Sequence, residues 1–234
     1  MKKALIIGLI GLLAHTLSTA QSSPQDKIMS AAKQLGDQPN YRWTTTIKEG
    51  DSAPFPGISG KTTKGGPTCL TTMMGTTPSD VYLDGQKGTA KGSGGWQSFD
   101  EIAKGGGFAA ALVGYLRSYK VPSVECGAFS KELQDVKEKE GILSGELKSE
   151  AAKAYLEFFI PRFAGQEPPK LGDPRGSMKF WIEKGVLTKY EIDVQCKVTR
   201  GDQESDFHRI TTIEIKNVGT TKLEVPEGAK QKLL

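Results

Sequence analysis

The stretch Val186-Leu-Thr-Lys-Tyr190-Glu-Ile-Asp-Val194-Gln-Cys-Lys-Val198 puts Val186, Tyr190, Ile192, Val194, Cys196 and Val198 at every second position, with Thr188 filling the gap. Lys189, Glu191, Asp193, Gln195 and Lys197 take the positions between. Successive side chains of a strand point to opposite faces, so this reads as a long strand, dry on one side and wet on the other. Upstream, Met178, Phe180 and Ile182 alternate with Lys179 and Glu183, and Gly185 supplies the positive φ of a three-residue hairpin loop. Downstream, Gly201-Asp202 reads as a two-residue turn, after which Phe207, Arg209, Thr211, Ile213 and Ile215 share a face. Three long antiparallel strands with one apolar face require a cover.

Helices elsewhere in the chain can supply it. Ser23 is a suitable N-cap, Pro24 fits the first helical position, Ile28, Met29, Ala32 and Leu35 recur at helical spacing, and Gly36 closes the helix. Tyr41, Trp43, Thr45 and Ile47 then alternate with polar residues as a half-buried strand. Short runs at 58–63, 68–74, 80–84 and 87–91, separated by turn residues, predict an antiparallel meander. From Ser98 to Tyr119 the spacing of Phe99, Ile102, Phe108, Leu112, Tyr115 and Leu116 is helical, interrupted by Gly105-Gly106-Gly107. Pro122 reads as loop and Ser130 to Val136 as a short helix. Ile142 to Leu147 reads as strand, and a helix capped by Ser149 carries Tyr155, Phe158 and Phe159 until Pro161 breaks it. Gln166 to Pro174 reads as a connection, and Pro226 opens a terminal helix through Leu233. The fold class is therefore α+β: a curved antiparallel sheet, an unclosed half-barrel, with helices covering its concave face.

The first 20 residues have the marks of an export signal. Lys2 and Lys3 precede an apolar run from Ala4 to Ala14, and Ser18-Thr19-Ala20 places small residues at a cleavage site. The run is too short for a bilayer span, which needs roughly 20 residues. Cleavage near Ala20 leaves one domain over residues 21–234, periplasmic or secreted, with no transmembrane segment. No cysteine follows the signal, so lipid attachment there is not expected. Losing Lys2 and Lys3 lowers the net charge from +4 to +2, too little for a footprint on nucleic acid. His208 remains as the one histidine of the mature chain, which argues against histidine-rich metal sites and histidine-based hydrolysis. Cys69, Cys126 and Cys196 show no metal or redox spacing; their odd number allows one disulfide and one free thiol. Gly57-Ile-Ser-Gly-Lys-Thr62 lacks the first glycine of a phosphate loop and is a turn, as is Arg200-Gly201-Asp202. No cofactor and no metal are expected.

Tyr41-Arg42-Trp43, the run Ile142 to Leu147 followed by Ser149-Glu150-Ala151-Ala152-Lys153, and Lys179-Phe180-Trp181-Ile182 leading through Gly185 to Tyr190 and on to Thr211-Thr212-Ile213-Glu214-Ile215 carry a resemblance. In this order they are similar to the LolA-like superfamily of bacterial envelope lipoprotein carriers, which includes their outer-membrane receptor and related mycobacterial lipid-binding lipoproteins. The resemblance implies an unclosed barrel whose apolar concavity receives acyl chains, and a lipid or an acylated protein as partner. The cavity residues expected on that basis are Trp43, Met178, Phe180, Tyr190, Ile192, Val194, Phe207, Arg209 and Ile213 from the sheet, with Tyr155 and Phe158 from a helix. Arg209, a cation on the dry face, needs a carboxylate or carbonyl partner, an anionic head group, or a rim position open to water. Two other readings stand beside the carrier: an envelope sensor or adaptor of the same fold with a filled cavity that binds a protein, and an enzyme using acids such as Asp80, Asp84, Asp100 and Glu101.

Overall fold

The structure is a computed structural model that describes residues 22–74, 77–92, 94–160 and 167–234. The export signal, the glutamine that would follow it and Pro161 lie outside the described residues. One antiparallel sheet runs through nearly the whole chain. After helix α1 (Pro24–Asp37) come β1 (Asn40–Glu49), the short β2 (Phe55–Pro56), β3 (Ser59–Thr63), β4 (Thr68–Met74), β5 (Thr77–Asp84), β6 (Lys87–Gly92) and β7 (Gly95–Ser98). Helices α2 (Phe99–Ala103), α3 (Gly107–Ser118) and α4 (Pro122–Phe129) follow. Then come β8 (Leu133–Lys139), β9 (Ile142–Leu147), α5 (Ser149–Phe159), the three long strands β10 (Lys170–Glu183), β11 (Val186–Arg200) and β12 (Gln203–Lys216), and α6 (Glu227–Leu233). The strand order is β7-β6-β5-β4-β3-β1-β12-β11-β10-β9-β8, with β2 also on β1, so the sheet is open at β7 and β8. This is an α+β unclosed half-barrel.

The alternation behind this architecture is visible in the burial. Tyr190, Ile192, Val194, Cys196 and Val198 are buried along β11, and Arg209, Thr211, Ile213 and Ile215 along β12. Helices α1 and α5 lie on β10 and β11, while α2 and α3 contact β6. Ser23 caps α1 as expected, accepting from the Asp26 N–H at 3.1 Å while the Asp26 carboxylate accepts from the Ser23 N–H. Helix α6 packs on the opposite face: Ala229 joins Cys69 and Tyr82, which alternate with the inward Leu70 and Val81.

Several expectations are corrected, each for a local reason. Gly36 does not end α1; the helix continues to Asp37 and the Gln38 N–H closes it on the Leu35 carbonyl. The hairpin at Gly185 has a two-residue loop, Lys184-Gly185, both at positive φ, and a register shift between Trp181 and Ile182 moves Leu187 rather than Val186 into the core. Pro122 begins α4 at a position where its missing N–H costs nothing. Residues 133–139 form strand β8 instead of a helix, because Glu140-Gly141 makes a positive-φ turn that pairs Lys139 with Ile142. The mixed charges of that segment then suit an exposed sheet edge, which they guard against further pairing. Lys148, not Ser149, occupies the cap of α5; the Ser149 hydroxyl donates to the Pro174 carbonyl at 3.4 Å. Residues 170–174 belong to β10, where Pro174 is accommodated by the irregular register between Gly172 and Arg175. All three cysteines are free and buried, with Cys69 on the α6 side of the sheet and Cys126 on the inward face of α4.

Trp43 pairs across the ladder with Gly60 and leaves only 2% of its surface exposed. A Cβ at Gly60 would stand 2.6 Å from the indole and 2.5 Å from the Cys69 carbonyl oxygen. Gly60→Ala is expected to cost about 1–3 kcal/mol through this overpacking, measured as a lowered denaturant midpoint with an unchanged m-value.

Candidate functional site: a divided apolar cavity

Among the described residues, two clefts open between the inner face of the sheet and helices α3, α4 and α5. On the helix side a chamber of about 630 Å³ opens among Tyr115 and Tyr119, Ala128 and Phe129, and Ala151, Ala154 and Tyr155. On the sheet side a second chamber of about 540 Å³ lies over Trp43, Ile47, Tyr190, Thr211 and Ile213, bounded by the Phe55–Ile58 segment. Tyr115, Tyr119, Glu125, Tyr155, Phe158 and Phe159 belong to the walls of both, so one partition separates two adjoining, mostly apolar clefts.

Local sequence builds the partition. In α5, Ala152 and Leu156 are buried toward the sheet, which turns Tyr155, Phe158 and Phe159 along an adjoining face. The rings interlock, with Tyr115 and Phe158 centred 4.6 Å apart, Tyr155 and Phe159 4.8 Å apart, and Phe158 and Phe159 4.9 Å apart. Tyr115 and Tyr119 stand one turn apart at the end of α3, and the Tyr119 ring stacks over Trp43 at 6.3 Å. Helix α3 starts from Gly106 and Gly107, both at positive φ.

The polar atom at the centre is the Glu125 carboxylate. Helix α4 delivers it to the partition, where the hydroxyl of the fully buried Tyr190 donates to it. Burial pushes the Glu125 carboxyl above its ordinary value; the Tyr190 hydrogen bond and the charge of Lys120 oppose this. Burial, seconded by the Glu125 charge, in turn lifts the Tyr115 hydroxyl to about 12 and those of Tyr119, Tyr155 and Tyr190 further. Trp43 Nε1 is a second buried polar atom in the wall; although the Tyr119 hydroxyl is its neighbour, it makes no hydrogen bond of acceptable geometry. Arg209 is buried to 9% exposure with a partner: Nη1 donates to Glu49 at 2.8 Å and the guanidinium lies 3.8 Å over the Phe159 ring.

Of the residues expected in the cavity, Trp43, Tyr155, Phe158, Tyr190, Arg209 and Ile213 line the chambers. Met178, Phe180, Ile192 and Val194 lie fully buried on the strands that α1 and α5 cover, and Phe207 is half-buried against the same core. Glu125, which sequence reasoning passed over, was hidden because Pro122 read as loop; a proline at N1 followed by Ser-Val-Glu is the signal that marks α4. Asp80 is bound to Thr71, Asp100 to Arg117 and Glu101 to Lys232, so these acids do not converge. Among the described residues there is no group of metal-ligating side chains, and no helix is long and apolar enough to cross a membrane.

The sequence matches no protein-family profile and no curated protein. Among solved structures the chain is similar to LprF from Mycobacterium bovis, at 14% identity and a TM-score of 0.44, over 88% of this chain and 97% of that one. It is also similar to the lipoprotein LppX from Mycobacterium tuberculosis, at 8% identity and a TM-score of 0.44, over 87% and 98%. A LolA superfamily protein from Nitrosomonas europaea is similar at 8% identity and a TM-score of 0.34, over 87% and 96%. The likeness is one of fold.

Two stability outcomes follow from the site's charges. The unfolded chain releases the Glu125 proton near 4.5 whereas the folded protein holds it to higher pH, so stability is lost as pH rises above that value. Glu125→Gln keeps an acceptor for Tyr190 and removes this loss: melting temperatures should coincide in acid and the variant should melt at least about 2 °C higher at neutral pH. Arg209→Ala removes both the Glu49 ion pair and the stacking on Phe159, and should destabilise by about 1–2 kcal/mol in chemical denaturation.

Proposed function

We propose that the protein is a carrier that holds the apolar portion of a lipid or an acylated peptide in the divided cavity beneath α3, α4 and α5. The observation that carries this reading is the pair of adjoining clefts of about 630 and 540 Å³, open to solvent and lined mainly by aromatic and other apolar side chains. Their size falls within the range of small-ligand sites, which are mostly apolar with a few polar groups. The open chambers favour carriage over the adaptor reading, which requires a filled concavity. The scattered acids favour carriage over catalysis. In this reading residues 1–20 direct export, residues 21–234 act as one unit in the envelope or outside the cell, and no cofactor takes part.

The energetics select long chains. Each buried methylene contributes about 0.8 kcal/mol, so about ten of them offset roughly 8 kcal/mol of an association cost of about 4–15 kcal/mol. A short acyl group falls below that cost. Access runs through α3, whose glycine start and light attachment to β6 let it move more readily than the helices seated on the long strands.

Native mass spectrometry and lipid extraction of the intact protein should show a stoichiometric long-chain guest, and an uncharged polarity-sensitive dye should bind saturably and be displaced by acyl ligands. Ala154, exposed on α5 at the wall of the first chamber, can be enlarged without entering the core. Ala154→Trp should weaken dye and acyl binding by about tenfold while leaving the melting temperature unchanged. Absence of saturable binding in the unaltered protein would remove the carrier reading.

A further inference from the structure

The wall shared by the two chambers carries a carboxylate. Glu125 stands in the partition shared by both chambers, and the other charges nearby do not supply a site for an anion. In the first chamber Glu132 and Glu150 add two acids against the single lysine Lys120; Glu132 is already paired with Lys148 at 3.3 Å. In the second, Arg209 is held by Glu49 at 2.8 Å and covered by Phe159. An anionic head beside Glu125 is either repelled or forces the carboxyl to keep a proton against the solvent, and both lower affinity as pH rises. An uncharged hydroxyl has no such penalty and can donate to the carboxylate beside the Tyr190 hydroxyl.

We propose that Glu125 is the specificity-determining residue of the cavity: it accepts a hydrogen bond from the free hydroxyl of an uncharged acyl ester and excludes free fatty acids and other anionic amphiphiles. The proposal rests on the carrier reading and names its ligand class. The remaining titratable groups facing the carboxyl are Tyr115 and Tyr119 from α3, Tyr155 from α5, Tyr190 from β11 and the neighbouring Cys126 thiol. Burial raises all of them, so they remain neutral in the working range and leave Glu125 as the titrating group at the partition.

The test is calorimetric titration of the full chain with three ligands of one chain length: monolauroylglycerol, methyl laurate and lauric acid. At about pH 8 the glyceryl ester should bind at least about tenfold more tightly than the acid, with the methyl ester, which lacks a hydroxyl donor, between them. In Glu125→Gln the acid should gain affinity until the two lie within about threefold of each other. Without any variant, the affinity for lauric acid should fall as pH rises above the ordinary carboxylate range and Glu125 ionises, while that for the glyceryl ester stays level. Equal binding of acid and glyceryl ester by the unaltered protein, or a preference that survives in Glu125→Gln, overturns the proposal and leaves carriage standing. A methyl ester that binds as tightly as the glyceryl ester overturns the hydroxyl contact. Failure of all three to bind the unaltered protein, by contrast, overturns carriage itself.

Discussion

The inner face of β1, β12, β11 and β10 is the constraint that the rest of the molecule answers. Trp43, Tyr190, Ile192, Val194, Ile213 and Ile215 must leave water together, because they share one side of a continuous ladder and a strand cannot hide alternate residues singly. Helices α1 and α5 satisfy the β10 and β11 portion by direct packing. Over Trp43, Tyr190 and Ile213 the cover is made by rings projecting from α3 and α5 that pack on one another and reach the strands at separate points, Tyr119 on Trp43 and Phe159 on Arg209. The chambers are what remains when a curved face is roofed by helices that span it without descending into it.

That arrangement explains why the partition is aromatic and carries a charge. Large planar side chains bridge a gap that aliphatic residues of the same helices would leave open, and edge-to-face contacts hold them against one another with few rotatable bonds. The Tyr190 hydroxyl lies at the floor of this space and needs an acceptor there. Glu125 provides it from the roof. The hydrogen bond therefore ties the helical cover to the longest strand of the sheet. Because the acceptor is a carboxylate rather than a carbonyl, it also sets the electrostatic character of the space that it divides.

The legibility of the sequence followed the range of the interactions involved. The parity of β11 and β12, the capping box at Ser23 and the break at Gly105–Gly107 depend on neighbours within a few residues, and each was readable. The edge strand β8 was not, because its partner is chosen by a Glu140-Gly141 turn that lacks the usual Asn-Gly signature and its own residues have weak strand preference. The terminal helix could be read but not its location on the outer face with Cys69 and Tyr82, since nothing local says which side of a sheet a helix will visit. Parity separates a strand's dry side from its wet side but not a packed residue from a lining one. Met178, Phe180, Ile192 and Val194 share a pattern with Tyr190 and Ile213, and only the seating of α1 and α5 distinguishes them.

Stability is consequently uneven across the molecule, and the unevenness falls where the proposed carriage would need it. The long strands are joined by turns of two residues and hold the deepest core, so their opening approaches global unfolding. Helix α3 contributes Val113 and Leu116 to the core but also exposes Phe108, and it begins at glycines whose backbone conformations other residues resist. Displacing α3 uncovers the Tyr115 and Tyr119 side of the partition while leaving Tyr155, Phe158, Phe159 and the Tyr190–Glu125 bond on elements that stay fixed. The movable part of the wall is therefore the α3 side, while the carboxylate stays anchored to the sheet through Tyr190; under the proposed carriage, this would let a guest enter without disturbing the group proposed to inspect it.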